Sequence, residues 1–146
     1  MTSDALAIEA DVRRLADVRA FIRERSSSNG LGSEAVSDLV QAVDEVVTNI
    51  VEHGYRGAPG RVEVEVDVDA GVDAEPGRIE VRIRDGCPPF DPDEVPEPDL
   101  DMPLERRPLG GMGVHLARAL TDEMRHRILP EGGNELILVK VIQSTS

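Results

Sequence analysis

Two stretches in the middle of the chain alternate apolar and charged residues in regular succession. RVEVEVDVDA (61–70) and RIEVRIRD (78–85) have the two-residue period of β-strands with one solvated face. The turn-forming linker GVDAEPG joins them, so the pattern predicts a hairpin. MRHRIL and ELILVKVI, on either side of Gly132 and Gly133, predict a second hairpin near the C-terminus.

A helical spacing of apolar residues marks three further segments. It predicts a helix within RRLADVRAFIRERS (13–26), a second from about Glu34 to His53, and a third after the glycines of LGGMGVHLARALTDE (109–123). ALAIEADV, before the first helix, alternates as a further strand does. A proline-rich acidic stretch precedes the third helix, and its lack of periodicity predicts a long loop.

The predicted elements follow the order strand, helix, helix, two strands, long loop, helix, two strands. This order indicates an α+β sandwich, with one mixed sheet covered by helices on a single face. A chain of 146 residues is the size of one domain, so we expect a single domain over 1–146. Because only 2% of the residues are aromatic, its core must be aliphatic.

Composition narrows the classes of function. The formal net charge of −13 disfavours binding to nucleic acid or to an anionic membrane. No apolar run approaches the roughly 18 residues of a membrane span, and we expect a cytoplasmic protein. Cys87 is the only cysteine, which excludes an internal disulfide. Lys140 is the only lysine and lies in an apolar run, which excludes a Walker A loop and a eukaryotic-type kinase.

The predicted second helix ends in DEVVTNIVEHGY (44–55), where Glu45, Asn49 and His53 recur every four residues. This spacing places the three side chains in one polar stripe. A glutamate can act as a general base, and an asparagine amide oxygen suits Mg²⁺, which prefers hard oxygen ligands. By spacing alone, an ordinary solvated helix face is the commoner origin of such a stripe.

Two glycine-containing turns are further candidates. Asp85 ends a predicted strand and precedes Gly86, so its carboxylate can accept a hydrogen bond from an exocyclic amine such as adenine's. A plain Asp-Gly turn is an equally good interpretation. In PLGGMGVHL, Gly110, Gly111 and Gly113 precede a helix whose free N–H groups and dipole favour a phosphate. A flexible hinge is the alternative there.

Taken together and in this order, the motifs resemble the Bergerat ATP-binding fold of the GHKL superfamily of gyrases, heat-shock chaperones, histidine kinases and mismatch-repair ATPases. DEVVTNIVEHGY, PPFDP and GGMGVHLARALTDE look most similar to the bacterial anti-sigma-factor serine kinases of the RsbW type. The resemblance covers nearly the whole chain. It implies a two-layer sandwich that binds ATP and Mg²⁺.

The resemblance also implies roles for individual residues. Glu45 matches the general base that takes the proton from a serine hydroxyl of an anti-anti-sigma protein. Asn49 matches the ligand that joins Mg²⁺ to the ATP phosphates. Asp85, with Gly86 beside it, matches the carboxylate that binds the adenine amine.

The glycines and the long loop have counterparts as well. Gly111 and Gly113 match the glycines that close over the phosphates. The segment of about 87–109 matches the ATP lid, in which Arg107, or its neighbour Arg106, is expected to meet the γ-phosphate.

The implied protein sequesters an RNA polymerase sigma factor, phosphorylates a STAS-type anti-anti-sigma factor on serine, and works as a homodimer in stress-linked transcription regulation. Two alternatives remain: a partner-switching module without phosphoryl transfer, and a histidine-kinase-type catalytic domain acting in trans. The chain also departs from the family pattern. Asp-x-Gly becomes Asp85-Gly86-Cys87, which places a cysteine beside the expected adenine pocket, and Gly133-Asn134-Glu135 stands where the family often has threonine.

Overall fold

The computed structural model describes residues 2–71, 75–92 and 111–143. Its strands are β1 (Thr2–Glu9), β2 (Arg61–Asp69), β3 (Arg78–Asp85), β4 (Glu123–Ile128) and β5 (Asn134–Val141). Its helices are α1 (Leu15–Ser28), α2 (Ser33–Asn49) and α3 (Gly111–Leu120). One 3₁₀ turn (Val12–Arg14) leads into α1, and one π-helical turn (Ile50–Gly54) extends α2. Most of the predicted lid, with both of its arginines, lies outside the described residues.

The five strands of the described chain form one sheet in the order β1-β2-β3-β5-β4. The predicted α+β sandwich is confirmed, and the expected mixed sheet is antiparallel at each of these pairings. The reason is the position of β5. The β3–α3–β4 connection leaves β3 and β4 parallel, but β5 lies between them and runs opposite to both.

One face of the sheet packs against the helices. Alternate valines of β2 and the isoleucines and valine of β3 are buried there, as their period predicts. The predicted apolar stripe of α2 is buried as well, and α2 packs against both α1 and α3. Full burial of each such side chain is worth roughly 1.5–3 kcal/mol, so this face dominates the stability of the fold.

The opposite face of the sheet carries charged side chains, which pair with one another and cover its centre. Glu135 of β5 has a fully buried side chain, whose Oε2 accepts from Arg84 Nε at 2.7 Å and whose Oε1 accepts from Arg127 Nε at 2.8 Å. Arg82 Nη1 lies 3.7 Å from the same Oε1. Burial opposes ionisation of Glu135, but the hydrogen bonds from Arg127 and Arg84 outweigh it and lower its pKa. We call these four residues the Glu135 network.

Among the described residues, no helix combines the length and the apolar character needed to cross a membrane.

Candidate functional site

A cleft lies where the end of α2 meets the ends of β3 and β5 and the first turns of α3. Its lining includes Asn49, Asp85, Phe90, Val114, His126 and Asn134. Its cavity volume is about 40 Å³, which is room for water molecules. A ligand of nucleotide size would therefore also occupy the open side of the cleft.

Asn49, the last residue of α2, brings an unsatisfied polar atom to this cleft. Its Oδ1 is buried and has no hydrogen-bond partner among the described residues. An unpartnered buried oxygen costs about 1–3 kcal/mol, so such an atom is usually reserved for a ligand, an ion or a water molecule. This amide oxygen fits the predicted role of Asn49 as a ligand of Mg²⁺.

Glu45 lies one turn before Asn49 but does not line the cleft. Its side chain is half-buried, and no described group hydrogen-bonds to its carboxylate. His53, the third member of the predicted stripe, is also absent from the lining, because the π-helical turn widens the helix after Asn49. The structure therefore brings one of the three stripe residues to the cleft wall and leaves Glu45 beside it.

Asp85 ends β3, as predicted, and its carboxylate reaches the cleft. Its Oδ1 accepts hydrogen bonds from Cys87 N at 2.8 Å and from Asn134 Nδ2 at 3.0 Å. The following residue, Gly86, donates its N–H to Tyr55 Oη at 2.7 Å, and Tyr55 Oη donates to Arg61 O at 2.7 Å. The π-helical turn thus ties the Asp85 turn to the start of β2.

Cys87 points away from the cleft, although the sequence places it beside the expected adenine pocket. The side chain is 6% exposed and belongs to the hydrophobic core. A Cβ added to Gly54 would come within 2.7 Å of Cys87 Sγ, so only glycine leaves room for the thiol there. Burial, with the nearby charge of Asp85, raises the pKa of the Cys87 thiol to about 12.

The glycines expected to close over phosphates lie at the start of α3. The helix begins at Gly111, and Val114 of its first turn lines the cleft. Free N–H groups at a helix N-terminus attract anions, so Gly111 and Gly113 are suitably placed for a phosphate. The other predicted phosphate ligands, Arg106 and Arg107, lie outside the described residues.

Asn134, Phe90 and His126 also line the cleft, although none of them was among the predicted site residues. Asn134 is the first residue of β5 and the register partner of Asp85. Phe90 is partly exposed at the cleft, and His126 Nε2 lies 3.1 Å from Asp91 Oδ1. Within the described ranges, no cluster of three or more His, Cys, Asp or Glu side chains is arranged to hold a metal ion.

The fold and the cleft define a class of protein. Residues 8–140 match the family model of the histidine kinase-like ATPase domain, so the chain belongs to that family. The predicted resemblance to the RsbW-like branch is also confirmed.

The chain is similar to curated relatives of the RsbW type and, in fold, to a solved structure. The chain is 26% identical over 142 residues to the serine-protein kinase RsbW of Bacillus cereus (strain AH187), covering 94% of this chain and 84% of the relative. The same protein of Bacillus anthracis (strain CDC 684 / NRRL 3495) is 25% identical with the same coverage. A crystal structure of the RsbU and RsbW domains of a Mycobacterium tuberculosis protein superimposes with a TM-score of 0.66 at 21% identity. That match covers 99% of this chain and 34% of the longer neighbour, and it supports the fold alone.

Proposed function

We propose that this protein is an anti-sigma factor with ATP-dependent serine-protein kinase activity. The observation that carries the proposal is the cleft itself, because the unpartnered Asn49 amide oxygen and the Asp85 carboxylate share its wall. The names of the curated relatives support the kinase class. Sequence identity of about a quarter leaves the substrate and the partners of this chain to experiment.

In this proposal, each group of the cleft contacts a different part of ATP. Asp85 accepts from the exocyclic amine of adenine, and Gly86 allows the base to approach. Asn49 holds Mg²⁺, which needs few protein ligands because phosphates and water complete its shell. The N–H groups at Gly111 and Gly113 bind the phosphates. Arg107, or its neighbour in the lid, contributes the positive charge at the γ-phosphate.

Glu45 is the proposed general base. ATP supplies the phosphoryl group, and the chain's part is to position it and to accept the proton of the attacking serine hydroxyl. A carboxylate has to be within hydrogen-bond reach of that hydroxyl but need not contact the nucleotide. This requirement agrees with a half-buried Glu45 beside the cleft rather than in its wall.

The proposed partners are proteins. A STAS-type anti-anti-sigma factor is the substrate, and an RNA polymerase sigma factor is the protein that is sequestered. The net charge of −13 favours a basic sigma surface over nucleic acid. We further propose that the protein is a cytoplasmic homodimer and that 1–146 acts as one ATP-binding domain with its lid at about 87–109.

Glu45→Gln tests the kinase. With labelled ATP and a STAS-domain protein of the same organism, the wild type should transfer phosphate to serine, and Glu45→Gln should transfer about 10²–10⁴-fold more slowly. ATP affinity should stay within about twofold of wild type, because the residue lies outside the cleft wall. Glu34→Gln, the same change on an exposed residue of α2, is the matched control. Transfer at the wild-type rate by Glu45→Gln would remove this residue from the mechanism.

Asn49→Ala and Asp85→Asn test the nucleotide site. Asn49→Ala should bind ATP equally well with and without Mg²⁺, whereas the wild type should bind more tightly with Mg²⁺ in calorimetry. Asn29→Ala, at the end of α1, removes an amide far from the cleft and serves as the control. Asp85→Asn keeps an acceptor for Cys87 N but turns an N–H₂ group toward the ligand. It should weaken ATP binding about 10- to 100-fold, the size of a lost hydrogen bond to a charged group.

A partner-binding module without catalysis is the second candidate, and the position of Glu45 outside the cleft lining favours it. It predicts capture of the sigma factor and of the anti-anti-sigma factor from a lysate without labelling of either by ATP. A histidine-kinase-type domain acting in trans would instead label a partner histidine, which acid lability of the phosphate distinguishes from phosphoserine.

A further inference from the structure

The carboxamide of Asn134 is the most highly connected side chain of the cleft. Its Nδ2 donates to Asp85 Oδ1 and to Pro88 O, both at 3.0 Å, and lies 3.4 Å from Cys87 O. Its Oδ1 accepts from Phe90 N at 2.8 Å. Three oxygens surround the nitrogen and one N–H faces the oxygen, so the surroundings fix the orientation of the amide.

These contacts leave Asn134 nothing to donate to a ligand. Both N–H groups of Nδ2 are used by the two short hydrogen bonds, and the side chain is 8% exposed. The bonds instead join the start of β5 to the segment that follows Asp85. Asn134 therefore acts on a ligand through its neighbours rather than by touching it.

The contact with Asp85 determines which atom of the carboxylate remains for a ligand. Oδ1 receives two N–H donors, from Cys87 N and from Asn134 Nδ2. Among the described groups, no N–H hydrogen-bonds to Oδ2, and the Cys87 thiol is the other described donor at this carboxylate. A carboxylate held in this way presents one fixed oxygen that accepts hydrogen bonds and cannot donate them.

We propose that Asn134 is a positioning residue that holds Asp85 in the orientation selecting a 6-aminopurine over a 6-oxopurine. The inference rests on the proposed nucleotide site. An amino group at position 6 donates to Oδ2, whereas an oxo group there would place one acceptor against another. Such a mismatch leaves a polar atom unpaired, and it discriminates more strongly than a change of apolar size does.

The experiment compares ATP with inosine triphosphate, which carries an oxo group at position 6. Calorimetry on the full chain should show that the wild type prefers ATP. Asn134→Ala should weaken ATP about 10- to 100-fold, the size of a hydrogen bond to a charged group, while inosine triphosphate changes little. The ratio of the two affinities should therefore approach one. A second variant, Asn134→Asp, adds a negative charge. Gln41→Glu, an amide-to-acid change on the exposed side of α2, is the control for that added charge.

Asn134→Asp gives a second readout within a single folded sample. At neutral pH the two ionised carboxylates repel each other at hydrogen-bond distance, so Asp85 is pushed from its place and ATP binding weakens. On acidification one shared proton replaces the lost N–H donor, and ATP affinity should recover toward wild type. Asn134→Ala should not recover. Asp91, His126 and Cys87 also surround this segment, and they occur in every variant, so each profile is divided by the wild-type profile.

The outcomes separate this inference from the proposed function. If the wild type binds neither nucleotide, the proposed function fails and the inference with it. If the wild type binds ATP but Asn134→Ala weakens the binding of both nucleotides equally, Asn134 only holds the segment after Asp85 in place, and the inference is overturned. Tighter ATP binding by Asn134→Ala would also overturn it, because the amide would then be blocking the purine position. Loss of the ratio together with acid recovery of Asn134→Asp supports it.

Discussion

Glu135→Gln should destabilise the protein far more than the same change elsewhere on that sheet face. The wild-type carboxylate is fully buried and accepts one short hydrogen bond from Arg84 and one from Arg127. Glutamine keeps the shape and one acceptor oxygen, but its N–H₂ group faces a guanidinium, so donor meets donor. The substitution therefore leaves one arginine donor without its acceptor.

The magnitude follows from the exposure of the arginines. Each charge-assisted hydrogen bond is worth about 1.5–3 kcal/mol. Arg127 is 61% exposed and can rehydrate, so its loss counts little. Arg84 is less exposed but retains Glu63 and Glu65. We expect a loss of about 2–3 kcal/mol, below the 3–5 kcal/mol for breaking a fully buried pair.

Urea unfolding followed by far-ultraviolet circular dichroism measures this loss. With an m value of about 2 kcal/mol per molar, the midpoint should fall by about 1–1.5 M. Glu123→Gln is the matched control, because Glu123 pairs with Arg125 on the same face but is 46% exposed, and it should cost about 0–1 kcal/mol. Equal midpoints for the two variants would refute the reasoning.

The difference in free energy of unfolding between wild type and Glu135→Gln should also change with pH, in a direction set by the pKa of Glu135. The pKa of Glu135 in the folded protein lies below its ordinary value, so its charge stabilises the fold fully above that ordinary value. That stability is lost as the pH falls through the folded pKa. The difference between wild type and Glu135→Gln should therefore shrink in acid, and a constant difference down to pH 2 would contradict the assignment.

Two further predictions concern the packing of Cys87 against Gly54. Gly54→Ala should lower the free energy of unfolding by about 1–3 kcal/mol through overpacking, and Cys87→Ala should restore much of it, so strict additivity in a double-mutant cycle would count against the contact. With its pKa raised from 9.0 to about 12, the thiol should react with iodoacetamide at pH 8 roughly 1000-fold more slowly in the native protein than in urea. The thiol ionises at a lower pH in the unfolded chain than in the native protein. The free energy of unfolding should therefore decline as the pH rises from 9 toward 12. Rapid native labelling would show that the side chain is accessible.

The fold was predictable because its signals are local and periodic. The alternation in β2 and β3 gave their pairing, and the spacing of valines in α2 gave its buried face. The two hairpins were predicted, but the antiparallel pairing of β1 with β2 and of β3 with β5 was not, since period two is the same for either direction of a neighbour. The insertion of β5 between β3 and β4 depends on tertiary packing that no single segment encodes.

The candidate site was predictable in part for the same reason. Asn49 and Asp85 end regular elements, so their places follow from where the helix and the strand end. Asn134 was noted only as a departure from the family pattern, because its contact with Asp85 depends on the register of strands and joins residues 49 apart in sequence. The burial of the Cys87 side chain could not be predicted from the sequence either, because it depends on the space that Gly54 leaves in the folded structure.

Because β5 lies in the interior of the sheet, completion of the cleft depends on the order in which the strands pair. During synthesis β1, β2 and β3 can pair as soon as they emerge, but β3 then remains an unprotected edge. Only when the segment after residue 134 arrives does this edge close, and the same event brings Asn134 to Asp85. A nascent or truncated chain that lacks β5 therefore exposes the unpaired edge of β3, which favours aggregation, and lacks the β5 side of the cleft. The pairing of β5 with β3 therefore completes the cleft and protects the edge of β3 from aggregation at the same time.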